Sequence, residues 1–399
     1  MKKGYLSEYF KGIACKRIST VEIDPEISHQ HEFNGARQLK DFFGENRCRF
    51  SAKMIYLREG DNDPYSEDSE VTWYDARENH PIRSEYRLYY TGDLIKNNAS
   101  EGDLLIICKK PDDSLLIIIV QGDSTIENNL IWLFSLPEED LGSTFAVKEI
   151  TGKNDQQIGF VSRLILAEIG IEVSPTDDYY LEMMLREFGE KFPTTNEFSN
   201  FARKTTKDID SINDPDYAIL QWINQEEILF YTLERYLVES RIKNGFQDVD
   251  TFISYSLSVH NRRKSRAGYS LENHFEHILK DNCISYSRGK ITENDSRPDF
   301  IFPSIQEYHD KDFYSGDLKM LGAKSTCKDR WRQVLSEAER IKEKHLLTLE
   351  PGISEKQTNQ MKANQLTLVI PRDIHITYKS SQLKYILEVK DFLNLVRNN

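Results

Sequence analysis

The chain has 399 residues, of which 39% are hydrophobic and 29% are charged, and its formal net charge is −13. This length suggests two domains, and the composition is that of a globular protein with ample material for a core. The acidic balance argues against a protein whose whole surface coats nucleic acid, although basic residues gathered in one cleft remain compatible with DNA binding.

The cysteines and the N-terminus limit where the protein works. The five cysteines lie far apart and form no Cys-x-x-Cys pair, which argues against a zinc ribbon or a disulfide framework and favours free thiols. The first residues lack the apolar stretch of a signal peptide, and no apolar run approaches the ~18 residues that span a bilayer. We therefore expect a cytoplasmic protein without a membrane partner.

Residues 1–172 show mostly β patterns. Short apolar, β-branched runs separated by turn sequences such as Lys-Lys-Pro-Asp-Asp-Ser predict strands. These runs are Val71–Tyr74, Arg87–Tyr90, Leu104–Cys108, Leu115–Gln121 and Leu130–Leu136. Apolar residues at helical spacing predict one helix over Gln156–Ile169. Short strands with few helices favour a barrel or a sandwich.

Residues 173–179 break this pattern with Ser-Pro-Thr-Asp-Asp and form the predicted linker. Beyond them, residues 180–399 mix helices and strands, which predicts an α/β core. The predicted helices are Asp216–Asn244, Asp248–Val259, Ser270–Lys280 with Ser270 as its N-cap, Trp331–Lys344 and Asp391–Val396. The predicted strands are Phe300–Phe302, Leu318–Ala323 and Leu366–Ile370.

A carboxylate at the start of one strand and a lysine on a later strand form the skeleton of a metal-dependent nuclease site. Asp299 follows Pro298 at the start of a predicted strand, and Lys324 directly follows another. Phosphodiester hydrolysis needs a divalent cation at the phosphate, an activated water and stabilisation of the developing charge. Because Mg²⁺ prefers oxygen ligands and keeps several waters, two or three carboxylates suffice.

The second carboxylate is not where many nucleases carry it, two residues before the lysine, because that position is Gly322. We predict that Glu337, on the Trp331 helix, takes its place and that Glu272, on the Ser270 helix, is a third acid. Each residue alone has a simpler interpretation as an exposed strand end or a solvated helix face. Their occurrence together, in order and on the expected elements, favours a catalytic site.

The charged segment after Lys324 could read bases in the DNA major groove. Lys328 and Arg330 can donate hydrogen bonds to guanine O6 and N7, and Asp329 can accept one from cytosine N4. The alternative is a charged helix start with Asp329 near the N-cap.

Further basic residues are candidate DNA contacts. The predicted phosphate contacts are Arg262, Arg263, Lys264 and Arg266. In the N-terminal domain the candidate contacts are Lys16, Arg17, His29, His31, Arg77 and Arg83. A zinc site at the His-x-His pair is not supported, since no further ligand with suitable spacing follows. Both sets could equally be solvated surface residues.

The stretches NRRKSRAGYSLENHFEHIL, RPDFIFPSIQEYHD, AKSTCKDRWRQVLSEAERI and HLLTLEPGIS closely resemble the EcoRII-type restriction endonucleases. The resemblance implies a PD-(D/E)xK nuclease fold over residues 180–399 in which the second acid lies on a helix. It implies Asp299, Lys324 and Glu337 as the core site, Asp299 and Glu337 as ligands of Mg²⁺, and Glu272 as an assisting residue. It also implies that Lys328, Asp329 and Arg330 read a CC/GG-type target.

The N-terminal stretch CKRISTVEIDPEISHQHEF more weakly resembles the effector domain of the same family. This implies a DNA-binding pseudobarrel over residues 1–172 that binds a second recognition site and represses the nuclease until it is occupied. Related enzymes flip the central base of their target into a pocket. The nearest residues here include Trp222, which could stack on an extruded base or belong to the core.

The sequence therefore predicts a prokaryotic type II restriction endonuclease, of type IIE, that cuts double-stranded DNA with Mg²⁺. A palindromic target favours a homodimer, and the family implies a functionally paired DNA methyltransferase. Two alternatives stay open: a non-catalytic DNA-binding regulator, and a repair or recombination nuclease with loose sequence choice.

Overall fold

The computed structural model describes residues 4–23, 31–33, 38–61, 64–152, 155–327 and 330–397. The chain divides into two compact units. The N-terminal unit comprises Met1–Glu172 and the short segment Pro351–Ser354, and the C-terminal unit comprises Val173–Glu350 and Glu355–Asn399. No sequence pattern predicts that Pro351–Ser354 belongs to the N-terminal unit.

The N-terminal unit is built on an eight-stranded sheet of order β2-β5-β4-β3-β7-β6-β1-β8. Its strands are β1 Gly12–Arg17, β2 Glu32–Phe33, β3 Cys48–Leu57, β4 Tyr65–Asp75, β5 Tyr86–Tyr90, β6 Leu104–Lys109, β7 Leu115–Val120 and β8 Ala146–Glu149. β3 and β7 pair in parallel, and the other neighbours pair antiparallel. Its helices are α1 Thr20–Ile23, α2 Leu39–Phe43, α3 Leu94–Asn98, α4 Thr125–Phe134 and α5 Phe160–Glu168.

The apolar runs that predicted strands at β6 and β7 are confirmed, and the two strands form an antiparallel hairpin. Every residue of β7 is buried, which is why its sequence is continuously apolar rather than alternating. In the connecting turn, Asp113 adopts a left-handed φ of +64° and Asp112 accepts a hydrogen bond from the Ser114 amide. Both roles suit aspartate in tight turns.

The strand predicted over Leu130–Leu136 is wrong, because the run through Phe134 belongs to helix α4. Ser124 caps the helix by accepting a hydrogen bond from the Glu127 amide. The Ser-x-x-Glu spacing at residues 124–127 is a helix-start signal. A short apolar run fits a buried helix face as well as a strand, and the cap signal before it distinguishes the two.

The C-terminal unit contains a six-stranded sheet of order β14-β13-β12-β11-β10-β9. Its strands are β9 Ser287–Arg288, β10 Phe300–Phe302, β11 Lys319–Lys324, β12 Lys344–Thr348, β13 Leu366–Val369 and β14 Ile386–Leu387. β9, β10 and β11 pair antiparallel, whereas β11 to β14 pair in parallel. This mixed sheet agrees with the predicted α/β core.

Nine helices of the described chain belong to this unit: α6 Leu181–Phe188, α7 Thr195–Thr205, α8 Pro215–Asn244, α9 Val249–Asp281, α10 Ile305–His309, α11 Trp331–Leu335, α12 Glu355–Ala363, α13 Ser380–Leu383 and α14 Val389–Arg397. The long α8 and α9 and the shorter α7 pack on one another. Among the described helices, none is long and apolar enough to cross a bilayer.

Two predicted helices have different limits in the structure. Asp248–Val259 and Ser270–Lys280 are parts of the single helix α9, and Ser270 is buried inside it rather than capping it. The helix predicted over Trp331–Lys344 ends at Leu335. Ala338 has a left-handed φ of +50°, a conformation that cannot continue an α-helix. Glu337 therefore lies in a turn rather than on a helix.

Candidate active site

Asp299 and Lys324 meet at the end of the central strands of the C-terminal sheet. β10 and β11 are antiparallel, with Phe300 opposite Leu321, so the residue before β10 lies near the end of β11. Asp299 Oδ2 accepts hydrogen bonds from Lys324 Nζ at 2.8 Å and from the Ala323 amide at 2.7 Å. The two side chains are partly buried, which strengthens their ion pair relative to a solvated one. The structure thus brings these two predicted residues together.

Glu337 is the second acid of this cluster, although a turn rather than a helix presents it. Burial, together with the negative charge of Asp299, raises the pKa of the Glu337 carboxyl to about 7. Its Oε2 atom is buried and has no hydrogen-bond partner in the described part of the chain. A buried carboxylate oxygen without a partner is costly unless something else binds it.

Gly322 explains why the acid is absent from the strand. A Cβ at this position would lie 2.9 Å from Val334 Cγ2 on α11. A side chain at residue 322 would therefore require Val334 or the backbone beside it to shift. The close packing of Val334 on β11 thus disfavours an acid at residue 322.

Glu272 approaches the site from helix α9 and is paired with Arg288 at 2.9 Å. Burial and the charge of Asp299 raise the pKa of the Glu272 carboxyl, and Arg288 opposes this shift. Arg288 also donates to Glu276 and to Asn273 on the same helix. Arg288 was not among the predicted site residues, since a single arginine in a two-residue strand carries no pattern that indicates this role.

The chemistry of these residues fits a hard divalent cation. Within the described ranges, no three His, Cys, Asp or Glu side chains are arranged to hold a metal ion by themselves. A cation here would be held by two carboxylates, those of Asp299 and Glu337, with waters and substrate oxygens completing its coordination, as Mg²⁺ commonly is. Glu337 Oε2, which has no partner among the residues that the structure describes, and the negative charge of Asp299 beside it suit such an ion.

The predicted base-reading residues are only partly described. Lys328 and Asp329 lie outside the described residues. Arg330 is exposed at the start of α11, and its amide donates to the Cys327 carbonyl at 2.7 Å. The Cys327 amide in turn donates to Glu350 Oε2 at 3.0 Å. The buried carboxylate of Glu350 thus fixes the backbone at Cys327, just before the segment predicted to read bases.

The predicted phosphate contacts lie in the middle of α9, and three of the four are engaged inside the unit. Arg262 lies over the Phe192 ring at 4.4 Å, and Arg266 lies over the Phe230 ring at 5.1 Å. Arg263 pairs with the buried Glu234 on α8 at 2.7 Å. Lys264 is exposed. Arg263 and Arg266 therefore connect α9 to α8, whereas Arg262 contacts the segment before α7. All three side chains stay partly exposed, so their role as phosphate contacts remains a prediction.

Trp222 is a core residue of the C-terminal unit. It is buried within α8, and its ring lies 5.8 Å from the His274 ring and 5.5 Å from the His277 ring. Arg203 covers it in a cation–π contact at 5.9 Å. A ring enclosed in this way has no free face for an extruded base, so the core alternative for Trp222 is the correct one.

The candidate DNA contacts of the N-terminal unit divide into buried and exposed residues. Lys16 is 1% exposed and pairs with the buried Glu22. Arg17 pairs with the buried Glu127. The burial of Lys16 shows that its prediction as a DNA contact is wrong. The Arg17 side chain is 28% exposed, so its prediction as a DNA contact stays a prediction.

The other N-terminal candidates lie nearer the solvent. Arg77 and Arg83 are exposed, and Arg77 pairs with Glu85 at 2.5 Å. His31 is half-buried and lies 4.0 Å from Asp93. His29 lies outside the described residues.

Comparisons with known proteins identify the family of this chain. A family model described as "EcoRII C terminal" matches residues 230–393. The type II restriction enzyme EcoRII of Escherichia coli is 31% identical over 373 residues, covering 92% of this chain and 85% of that protein. Two solved structures of metal-depleted Ecl18kI, with uncleaved modified DNA and with uncleaved DNA, have TM-scores of 0.44 and 0.42 and identities of 18% and 20%. They cover 56% and 55% of this chain and 84% and 83% of those chains. On the extent and identity of the match to EcoRII, this chain belongs to the EcoRII family of type II restriction enzymes.

Proposed function

We propose that this chain is a Mg²⁺-dependent, type IIE restriction endonuclease that hydrolyses both strands of DNA at a CC/GG-type site and leaves 5′-phosphate ends. One observation carries the proposal: the paired Asp299 and Lys324 lie beside the buried Glu337, whose Oε2 has no partner in the described chain. The Asp299–Lys324 ion pair alone would neutralise both of its charges and would need no further ligand. A neighbouring carboxylate without a partner indicates a group that binds there during function.

Each residue of the site has a role in this proposal. Asp299 and Glu337 hold the cation, which when bound supplies positive charge to the scissile phosphate. Lys324 donates from Nζ to a phosphate oxygen or to the attacking water, and it stabilises the charge that develops on the phosphate. Glu272 assists as a further carboxylate whose charge is balanced by Arg288.

Cleavage of plasmid DNA tests the proposal. The full chain with Mg²⁺ should give discrete fragments whose sequenced ends share one recurring site. A smear of products would favour the repair or recombination nuclease instead. Plasmid left intact by the full chain under all cation conditions would favour the non-catalytic DNA-binding regulator.

Target reading is assigned to Lys328, Asp329 and Arg330. Support comes from the exposure of Arg330 and from the anchoring of the preceding backbone by Glu350. Replacing Arg330 with alanine removes a bidentate guanine contact worth about 1–3 kcal/mol. Cleavage should therefore slow at the cognate site and relax toward sites altered at one guanine. Unchanged site preference would remove Arg330 from the recognition set.

We further propose that the N-terminal unit is a pseudobarrel effector domain that binds a second copy of the target and represses cleavage until it is occupied. Its predominantly β structure and the exposed Arg77 and Arg83 support this proposal. A plasmid with one site should be cut slowly, and a short duplex carrying the same site should accelerate cutting in trans. Equal rates with cognate and scrambled duplexes would contradict the effector role.

The working form is proposed to be a homodimer, since a palindromic site presents the same face twice. Val249, Phe252, Ile253 and Leu257 are exposed apolar residues on α9, and their spacing puts them on one face. Leu257→Glu should lower the sedimentation coefficient of the free protein toward that of a monomer. A monomer already present in wild type would contradict the dimer.

The cognate partner is a DNA methyltransferase that protects the same site.

A further inference from the structure

The turn that carries Glu337 is held by a buried lysine. Lys344 is the first residue of β12 and only 6% of it is exposed. Its Nζ donates to the backbone carbonyls of Glu337, Ala338 and Ile341, the last two at 3.0 Å and 2.9 Å. All three donors of the ammonium group are therefore used on a single turn.

A second set of contacts holds the same turn from its other end. The Glu339 amide donates to Glu293 Oε2 at 3.3 Å, and the Arg340 amide donates to the Tyr308 hydroxyl at 3.3 Å. The Arg340 guanidinium reaches the carbonyls of Asp310 and Phe313 at 2.8 Å and 3.0 Å. The turn is thus fixed at both ends. The backbone of Glu337 itself is bound twice, since its amide donates to the Val334 carbonyl at 3.2 Å and its carbonyl accepts from Lys344.

We propose that Lys344 is a positioning residue for the cation site, which sets the place of the Glu337 carboxylate through the backbone of its turn. The inference rests on the proposed function. In nucleases with the second acid on the strand, the sheet itself places that acid. Here Gly322 leaves the strand without one, and a turn that includes the left-handed Ala338 replaces it. Such a turn lacks the regular hydrogen bonds of a sheet, and the three bonds from Lys344 supply the missing constraint.

A role as a structural anchor alone would predict a different pattern of loss. If Lys344 only stabilised the fold, its removal would lower thermal stability and reduce DNA binding and cleavage together. If it positions Glu337, its removal should weaken cation binding most, because one ligand is then free to move. Groups that orient metal ligands contribute about 10–100-fold to metal affinity.

The test compares Lys344→Met, Lys344→Arg and the control Lys342→Met in the full chain. Methionine keeps the length and volume of the side chain without donors, whereas arginine keeps the charge and the donors. Lys342 is exposed two residues away, so its loss changes net charge equally without touching the turn. Mn²⁺ serves as the probe, since carboxylate sites accept it in place of Mg²⁺. Free Mn²⁺ is measured by electron paramagnetic resonance, and kcat and KM for DNA are measured separately.

Lys344→Met should weaken Mn²⁺ binding by at least about tenfold and lower kcat at limiting cation, with KM for DNA changed less than about twofold. Lys344→Arg should recover part of the affinity, and Lys342→Met should match wild type. Wild-type Mn²⁺ affinity in Lys344→Met would overturn the inference, and so would equal losses in both methionine variants. Failure of the proposed function is distinguishable, because a wild-type chain that binds Mn²⁺ but never cuts DNA would contradict the nuclease and not the positioning role.

Discussion

The two acids of the candidate site are held in contrasting ways. Asp299 precedes a buried strand and is fixed by two hydrogen bonds, one from the neighbouring strand's backbone and one from Lys324. Glu337 lies in a turn, its Oε2 is buried without a partner in the described chain, and its pKa is raised to about 7. The strand-held half of the site, Asp299 with Lys324, has its hydrogen bonds satisfied without a ligand. The turn-held half, Glu337, has a carboxylate oxygen without a partner among the described residues.

This difference indicates a division of labour. The strand-held pair is preorganised, so its residues should be needed for every turnover under all conditions. The turn-held carboxylate is the part of the site whose charge depends on what binds there. Its contribution should therefore vary with cation concentration and with pH.

The largest effect is expected from breaking the strand-held half. Lys324→Met and Asp299→Asn should each lower kcat by at least about 10³-fold, because they remove a charge that acts in the transition state. Binding of cognate DNA without cations, measured by fluorescence anisotropy, should stay within a few-fold of wild type. Substantial cleavage by Lys324→Met at saturating Mg²⁺ would remove this lysine from the chemistry.

Glu337→Gln should cause a smaller and condition-dependent loss, about 10²-fold at limiting Mg²⁺ and less at high cation concentration. Gln keeps the shape but removes the charge that binds the cation. For wild type at limiting Mg²⁺, kcat should fall as the pH drops below about 7, since the pKa of the Glu337 carboxyl lies near that value and only the ionised form binds a cation. A pH profile of Glu337→Gln identical to that of wild type would contradict this assignment.

A third change tests why residue 322 of β11 is a glycine and not an acid. Gly322→Ala should destabilise the chain by about 1–3 kcal/mol, because its Cβ would lie 2.9 Å from Val334 Cγ2. Val334→Ala leaves a space on the same face, so the double variant should lose less than the sum of the two single variants. Urea unfolding measures all three. Strict additivity would show that the two positions do not compete for the same space.

The smallest effect concerns stability. The pKa of the Glu337 carboxyl is raised in the folded chain from 4.5 to about 7. Folding therefore favours its protonated form, and this contribution is fully present below the unfolded pKa and is lost as pH rises through about 7. Without divalent cations, Glu337→Gln should be more stable than wild type by about 1–2 kcal/mol at pH 8, allowing for partial solvent access.

The same comparison at pH 5 should show little difference, since the wild-type carboxyl is then mostly protonated in the folded chain. A stability difference between Glu337→Gln and wild type that does not change with pH would contradict the raised pKa. Chemical unfolding with a chelator present provides both measurements.

The sequence predicted the strand-held half of the site better than the turn-held half, for a physical reason. Asp299 and Lys324 flank apolar β runs, and strand patterns depend on local alternation and burial that a sequence displays. The helix expected around Glu337 ends at Leu335, and the chain after it is a turn in which Ala338 is left-handed and Lys344 binds the carbonyls of Glu337 and Ala338. Such contacts depend on the folded neighbours and have no periodic signal.

The same limit explains the basic residues of α9. Their run predicted a solvent-facing cluster, yet Arg263 pairs with the buried Glu234 on α8. The acid that engages it lies 29 residues earlier in the chain. The sequence shows that the residues are basic, but the packing of α9 on α8 decides which of their side chains face the solvent.

The most direct measurement is the anomalous scattering of Mn²⁺ in crystals of the full chain bound to uncleaved cognate DNA. We expect a strong peak that is coordinated by the carboxylates of both Asp299 and Glu337 and by an oxygen of the scissile phosphate. A peak held by Asp299 and Glu272, with the Glu337 carboxylate turned away, would contradict it.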